Sequence, residues 1–223
     1  MLLVSPLNSR AGIKRIGTEK KVVALTFDDG PNSPHTEKLL KVLEAKGVTA
    51  TFFLIGKQVE NHPDLARKIA KAGHEIGGHS YDWQSLAFKR RKTVEAQLDK
   101  MDAAFASVGI TNLALFRPPN GLLSPGQGKI LEARGLEYIS ADVVVGDWKN
   151  IDAATIRDRV VKKVRPGSII VLHDGGGNRA ATVRAVPMII DALRKQGYSF
   201  STVGALLDFG YTHKDPKGSR NQE

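Results

Sequence analysis

Leu25-Thr26-Phe27-Asp28-Asp29-Gly30 decides how the rest of the chain is read, because an apolar run ends there in two adjacent carboxylates and a glycine. Residues 21–27 predict a buried strand: Val22, Val23, Leu25 and Phe27 are branched or aromatic and lack helical spacing. The carboxylates therefore fall at its C-terminal end. Adjacent Asp side chains repel unless a cation or a donor offsets their charge, so the pair suggests a metal-bound oxygen beside a proton acceptor. An Asp-Gly turn is the plain structural alternative.

Outward from this stretch, strands and helices alternate. Pro34 and Thr36 open a helix whose Leu39, Leu40, Val42 and Leu43 form an apolar stripe, closed at Gly47, and 49–55 is a second strand. Pro63 starts a helix carrying Leu65, Ile69 and Ala70 to Gly73, and a strand at 74–78 delivers His79-Ser80-Tyr81-Asp82-Trp83. Residues 93–108 are amphipathic through Val94, Leu98, Met101 and Phe105, and strand four, 114–116, runs into Arg117-Pro118-Pro119-Asn120-Gly121. A helix near 125–134 leads to strand five, 138–145, followed by Gly146-Asp147-Trp148. A helix at 153–164 precedes strand six, 168–172, which ends in His173-Asp174. A helix at 183–195 and a seventh strand at 198–203 complete the pattern. Residues 1–20 read as a lead-in, 21–208 as one catalytic domain and 209–223 as a polar tail, loose beyond Gly210.

About seven such alternations imply a parallel α/β barrel with right-handed crossovers. Asp28 and Asp29, His79, Arg117, Asp147 and His173 all fall just past the C-terminal ends of five different strands, the face on which α/β barrels build active sites. Singly, Asp147-Trp148 reads as a turn plus a core aromatic, Arg117 as a surface ion pair and His173 as a satisfied barrel-mouth histidine. Together at strand ends they favour catalysis. His35, His62, His74 and His213 read as loop, helix-start, strand-edge and tail residues.

The net charge of +10 and pI near 9.8 favour polyanions: nucleic acid, an anionic membrane or a bacterial wall. No Lys/Arg block, zinc-finger spacing or RNA-binding aromatic motif reads as a nucleic-acid signature, so no nucleic-acid partner is expected. The absence of cysteine excludes disulfides and thiolate metal sites. Met1-Leu2-Leu3-Val4 is too short for a signal-peptide core, and no stretch approaches the ~20 apolar residues of a membrane span. If exported, the protein would need a targeting segment that this sequence does not show.

These residues resemble the polysaccharide deacetylase family, also called the NodB homology domain or carbohydrate esterase family 4, over residues 21–207. Thr26-Phe27-Asp28-Asp29-Gly30 is similar to its first motif, and His79-Ser80 begins the second. Arg117-Pro118-Pro119 resembles the third, Asp147-Trp148 the fourth and Val171-Leu172-His173 the fifth. The resemblance implies a distorted, TIM-like (β/α) barrel that hydrolyses N-acetyl groups on peptidoglycan or chitin-type polysaccharide with a divalent metal. Zinc is the expected ion, cobalt or nickel the alternatives. It also implies Asp29 and His79 as metal ligands, Asp28 as general base and His173 as general acid. Arg117 would pair with Asp28, and Asp147 would orient His173. The backbone N–H of Asn120 would be the oxyanion donor, with Pro118, Pro119, Trp148 and Leu172 lining the substrate site. A monomer working outside the cell or at its wall is expected.

Two departures stand out. Trp83 occupies the position of the family's second His ligand, and an indole has no lone pair to offer a metal. Asp82 is the candidate substitute, because residues three apart on a helical turn share a face with those four apart. A water-completed site, a non-catalytic glycan binder and a metal-independent amidase on a small cyclic amide are the other readings. The second departure is Asn120, which replaces a usual aromatic and removes a groove-lining ring while keeping the backbone donor.

Overall fold

The computed structural model describes residues 12–124 and 126–212. In chain order these form β1 (Val22–Asp28), α1 (His35–Lys46), β2 (Thr51–Leu54), α2 (Gly56–Asn61), α3 (Pro63–Lys71), β3 (Glu75–Gly78), α4 (Arg91–Ala106) and β4 (Leu115–Phe116). A 3₁₀ turn at Pro119–Gly121 leads to α5 (Gln127–Glu132), β5 (Glu137–Tyr138), β6 (Val143–Val144), α6 (Ala153–Lys163), β7 (Ile169–His173), α7 (Ala180–Lys195), β8 (Ser199–Ser201) and α8 (Val203–Thr212). The strands pair in parallel in the order β5-β4-β3-β2-β1-β7-β6. Because β5 and β6 are the ends of this path, the curled sheet is an incompletely closed barrel. Ala24 of β1 pairs with Ile169 on one edge and Ser201 on the other, so β8 takes the lower half of the edge that β2 occupies higher up.

Strand alternation divides the apolar residues into two sets. Val23, Leu25 and Phe27 of β1 and Ile170 and Leu172 of β7 face outward, joining Leu39 and Leu43 of α1 and Val186 and Ile189 of α7 in the larger cluster. Ala24, Phe53, Leu115, Ile139 and Ile169 face the barrel interior, where Ile16, Val203, Leu206 and Leu207 close the floor. The inward column of β1 is therefore Ala24, Thr26, Asp28, and that of β7 is Ile169, Val171, His173. Each ends in a polar group at the mouth.

Two expectations are revised. Strand five is two short strands, β5 and β6, separated by Ile139–Asp142, whose Asp142 carboxylate accepts from Ile169 N at 3.0 Å and Ser168 Oγ at 2.9 Å. The last strand stops at Ser201 rather than 203: the Thr202 hydroxyl accepts from Ala205 N, and Val203, Leu206 and Leu207 form the apolar stripe of α8. A third finding is that the described part of the lead-in, on which the sequence reading made no structural statement, packs against the barrel. Ile13 bridges Ile139, Arg15 bridges Ser168 and Ile16 is buried. Residues 1–11 and 213–223, including His213, lie outside the described residues.

The start of α8 is also held from a distance. Glu75 of β3 accepts from Gly204 N at 3.0 Å and from Thr51 Oγ at 2.7 Å, and Thr51 Oγ accepts from Val203 N at 2.9 Å. Replacing Glu75 by Ala leaves these donors unsatisfied under the barrel, with an expected cost of about 1–3 kcal/mol. Urea denaturation reads this loss, and an unchanged midpoint would show that the helix does not depend on this cap.

Candidate active site

The mouth of the barrel is built where side chains of β1, β3, β4 and β7 leave the sheet. Asp28 and His173 are register partners on adjacent strands, and Phe53 of β2 partners Asp28 on the other side. Arg117, just past β4, lies across this layer with its guanidinium carbon 4.0 Å from the centre of the Phe53 ring. Its Nη1 donates to Asp28 Oδ1 at 2.6 Å and Thr26 Oγ at 2.7 Å, and its Nη2 donates to Ser140 O at 3.1 Å. Both charges are nearly inaccessible, 3% and 6% exposed at their side chains, so each is the other's principal compensation. Burial works against the Arg117 charge, and Asp28 opposes that effect.

Alternation alone would send Asp29 to the face opposite Asp28. Asp29 instead adopts φ 72°, and Ser80 and Asn120 adopt φ 70° and 62° just past β3 and β4. Such left-handed non-glycine residues cost about 1–3 kcal/mol each and persist only where surrounding bonds fix them. Here Asp174 N donates to Asp28 O, and Gly56 N to Ser80 O. The turn at Asp29 puts its Oδ1 3.4 Å from His79 Nε2. His79 Nδ1 lies 2.6 Å from the Arg117 carbonyl, which cannot donate, so Nδ1 carries a proton and Nε2 faces Asp29, able to donate to it when protonated or to offer a cation its lone pair when not. Burial pushes the Asp29 pKa up, but His79, His173 and Arg179 outweigh this and leave it lowered.

Opposed lone pairs on a carboxylate and an imidazole need a proton or a cation between them. Their 3.4 Å separation is the edge expected between two ligands of a tetrahedral ion with bonds of about 2.0–2.2 Å. Asp29 and His79 thus fit a divalent metal. Asp82 does not join them. Residues 79–82 form no helical turn, and the Asp82 carboxylate is taken up by Gln84 N at 3.0 Å and Gln97 Nε2 at 3.2 Å. Among the described residues no set of three His, Cys, Asp or Glu side chains is arranged to hold a metal. Trp83 is 43% exposed on the same loop.

Across the mouth, Asp147 is fully buried at its side chain and binds His173 twice, Oδ1 to the ring Nδ1 and Oδ2 to the backbone N, both at 2.9 Å. Thr182 Oγ also donates to Asp147 Oδ2. Burial lowers the His173 pKa, but the Asp147 bond and charge, with Asp28 and Asp29, raise it on balance. The Trp148 ring stands edge-on to His173 with centroids 5.0 Å apart.

Leu172 corrects the expected substrate wall: it is fully buried on the helix side of β7, and Val171 is the residue that shares the inward column with His173. Pro118 and Pro119 are buried, while Asn120 is exposed. Thr26, Thr182 and Asp174 were not singled out from sequence. Thr26 alternates with Asp28, a signal that was available. Asp174 meets Gly30 and accepts from Thr36 Oγ, and burial pushes its carboxyl up to about 7, with the Thr36 bond opposing. Only the fold reveals that role.

The chain matches the polysaccharide deacetylase family over residues 15–139. A peptidoglycan-N-acetylglucosamine deacetylase of Bacillus cereus is 35% identical, the alignment covering 87% of this chain and 92% of that protein. Among solved structures, a family 4 acetyl xylan esterase from Clostridium thermocellum in complex with a cobalt ion is 31% identical, with a TM-score of 0.79, covering 90% of this chain and 97% of that one. The family 4 pseudoenzyme BA3943 from Bacillus anthracis is 29% identical, with a TM-score of 0.83, covering 89% and 69%. Five strand ends, one buried ion pair and one carboxylate–histidine pair thus converge in a chain that belongs to the polysaccharide deacetylase family, carbohydrate esterase family 4.

Proposed function

We propose that the chain hydrolyses the N-acetyl group of N-acetylglucosamine-containing polysaccharide, peptidoglycan or a chitin-type strand, releasing acetate. The observation that carries this reading is the facing of Asp28 and His173 on adjacent strands, each backed by its own buried opposite charge, Arg117 or Asp147. One can take a proton while the other gives one. The basic surface favours an anionic wall glycan and a place of action outside the cell or at its wall.

Asp29 Oδ1 and His79 Nε2 would hold the divalent ion, zinc on this reading, with cobalt or nickel as alternatives. When bound, the ion supplies Lewis-acid polarisation of the acetamide carbonyl and acidifies a water. Asp28 would accept a proton from the attacking water as the water oxygen forms a bond to the carbonyl carbon. Arg117 stays charged and stabilises the Asp28 carboxylate until then. Protonated His173 gives its proton to the sugar nitrogen as the C–N bond breaks, leaving acetate and a free amine. Asp147 fixes the ring so that Nε2 faces the mouth, and the Asn120 backbone N–H serves the developing oxyanion. Pro118 and Pro119 shape that turn from below, while Trp148 and Val171 border the acetyl group. With Asp29 and His79 as the only two protein ligands, an ion held there would be expected to bind more weakly than at a three-ligand site.

Trp83 supports a second reading, a glycan-binding relative without turnover, and the pseudoenzyme among the similar structures shows that the fold tolerates such a fate. The two separate on acetate release from chitooligosaccharide and peptidoglycan after chelation and again after zinc or cobalt is returned. The deacetylase reading predicts acetate only with metal, and Asp28→Asn should lower turnover by at least about 10²-fold while leaving cobalt binding in place. Glycan binding without acetate under every condition would establish the second reading.

The pH profile tests His173. Activity that needs its proton falls as pH rises through its raised pKa, so removing the charge of Asp147 must move that fall to lower pH. In Asp147→Asn, both the NMR titration of His173 and the alkaline limb of kcat are expected to shift down together. An unmoved limb would remove His173 as the acid.

A further inference from the structure

The loop between β3 and α4 starts at His79, and Phe88-Lys89-Arg90-Arg91-Lys92 spans its junction with the helix, Arg91 and Lys92 being the first residues of α4. Phe88 is 92% exposed, yet its backbone is left-handed at φ 61°, an unfavourable state for a bulky residue. That state is built in. Phe88 N donates to Ser124 Oγ at 2.6 Å, and the buried Gln127 amide donates to Leu86 O at 2.7 Å and Lys89 O at 3.1 Å while accepting from Ser124 N. Ser124 follows Arg117 and Asn120 in the loop after β4 and Gln127 opens α5 at the end of that loop, so the platform sits on the same rim as the reacting groups.

The four cations after Phe88 are all exposed, and among the described residues only Arg91 has a carboxylate partner, Glu95 at 2.7 Å. They crowd the first turn of α4, which contains no acid, although like charges repel and that end of a helix favours anions. Exposed aromatic area and uncompensated charge both oppose local stability, a conflict that marks a surface kept for a partner.

We propose that Phe88 and Lys89-Arg90-Arg91-Lys92 form an outlying subsite for the carboxylate-bearing glycan strand, the ring stacking on a sugar face and the cations pairing with carboxylates of the wall polymer. This rests on the wall-glycan reading of the neighbouring site. It singles out peptidoglycan over neutral chitin.

The test is co-sedimentation with insoluble peptidoglycan and with insoluble chitin, which reads binding without turnover, so a chain that releases no acetate still answers it. Replacing all four cations by Ser is expected to weaken peptidoglycan binding about tenfold or more at low salt and to leave chitin binding within about twofold. Phe88→Ala should weaken both by about tenfold. Arg90→Lys with Arg91→Lys keeps the charge and should bind like the parent chain. Circular dichroism of each variant should show an unchanged or higher melting temperature. Unchanged peptidoglycan binding by the folded Ser variant would overturn the proposal. So would a loss confined to duplex DNA, which would make the run a nucleic-acid surface.

Discussion

The buried pair between Arg117 and Asp28 is the constraint on which the mouth depends. Two charges removed from water are costly unless each satisfies the other and the remaining donors find acceptors. Arg117 meets most of this demand through Asp28, Thr26 and the Ser140 carbonyl, over the face of Phe53, and its buried Nε has no partner among the described residues. Its backbone has a second task, because its carbonyl fixes the His79 tautomer. One residue thus holds Asp28 with its side chain and His79 with its main chain, and couples two sides of the barrel that are distant in sequence.

The carboxylate–histidine pair opposite follows the same logic with less charge. Asp147 is satisfied by the His173 ring, the His173 backbone and Thr182, so it has no freedom to move with the proton it stabilises. On the proposed reading, Asp28 on one strand and His173 on the next would need little rearrangement to act on one small group, as electrostatic preorganisation requires. The left-handed turn at Asp29 adds the one element alternation cannot supply, a second carboxylate directed into the same mouth.

Much of this was legible in the chain. Strand ends carrying Asp28, His79, Arg117, Asp147 and His173 could be read from apolar runs broken by polar residues, and the parallel order followed from alternation with helices. What failed did so for local reasons. The resemblance implies Leu172 at the substrate, whereas a period of two turns Leu172 to the helix side and puts Val171 in the column of His173. Asp82 was joined to His79 by helical spacing, but that segment is not helical and Gln97 holds its carboxylate. The helix α8 was hidden behind strand-like Ser199–Ser201, although Thr202 and the spacing of Val203, Leu206 and Leu207 announce it. The link from Arg117 to His79 is a backbone contact across 38 residues, which no side-chain pattern displays. Trp83 stands where the resemblance implies a second His, and among the described residues no third His, Cys, Asp or Glu side chain joins Asp29 and His79.

A double-mutant cycle on Arg117→Met and Asp28→Asn, measured by equilibrium denaturation, tests the dependence on the buried pair most directly. If the two charges sustain each other, each single change costs about 3–5 kcal/mol by stranding its partner, and the double change costs clearly less than their sum. Additive losses would contradict the account, because they would mean that Arg117 and Asp28 share the mouth of the barrel without depending on one another.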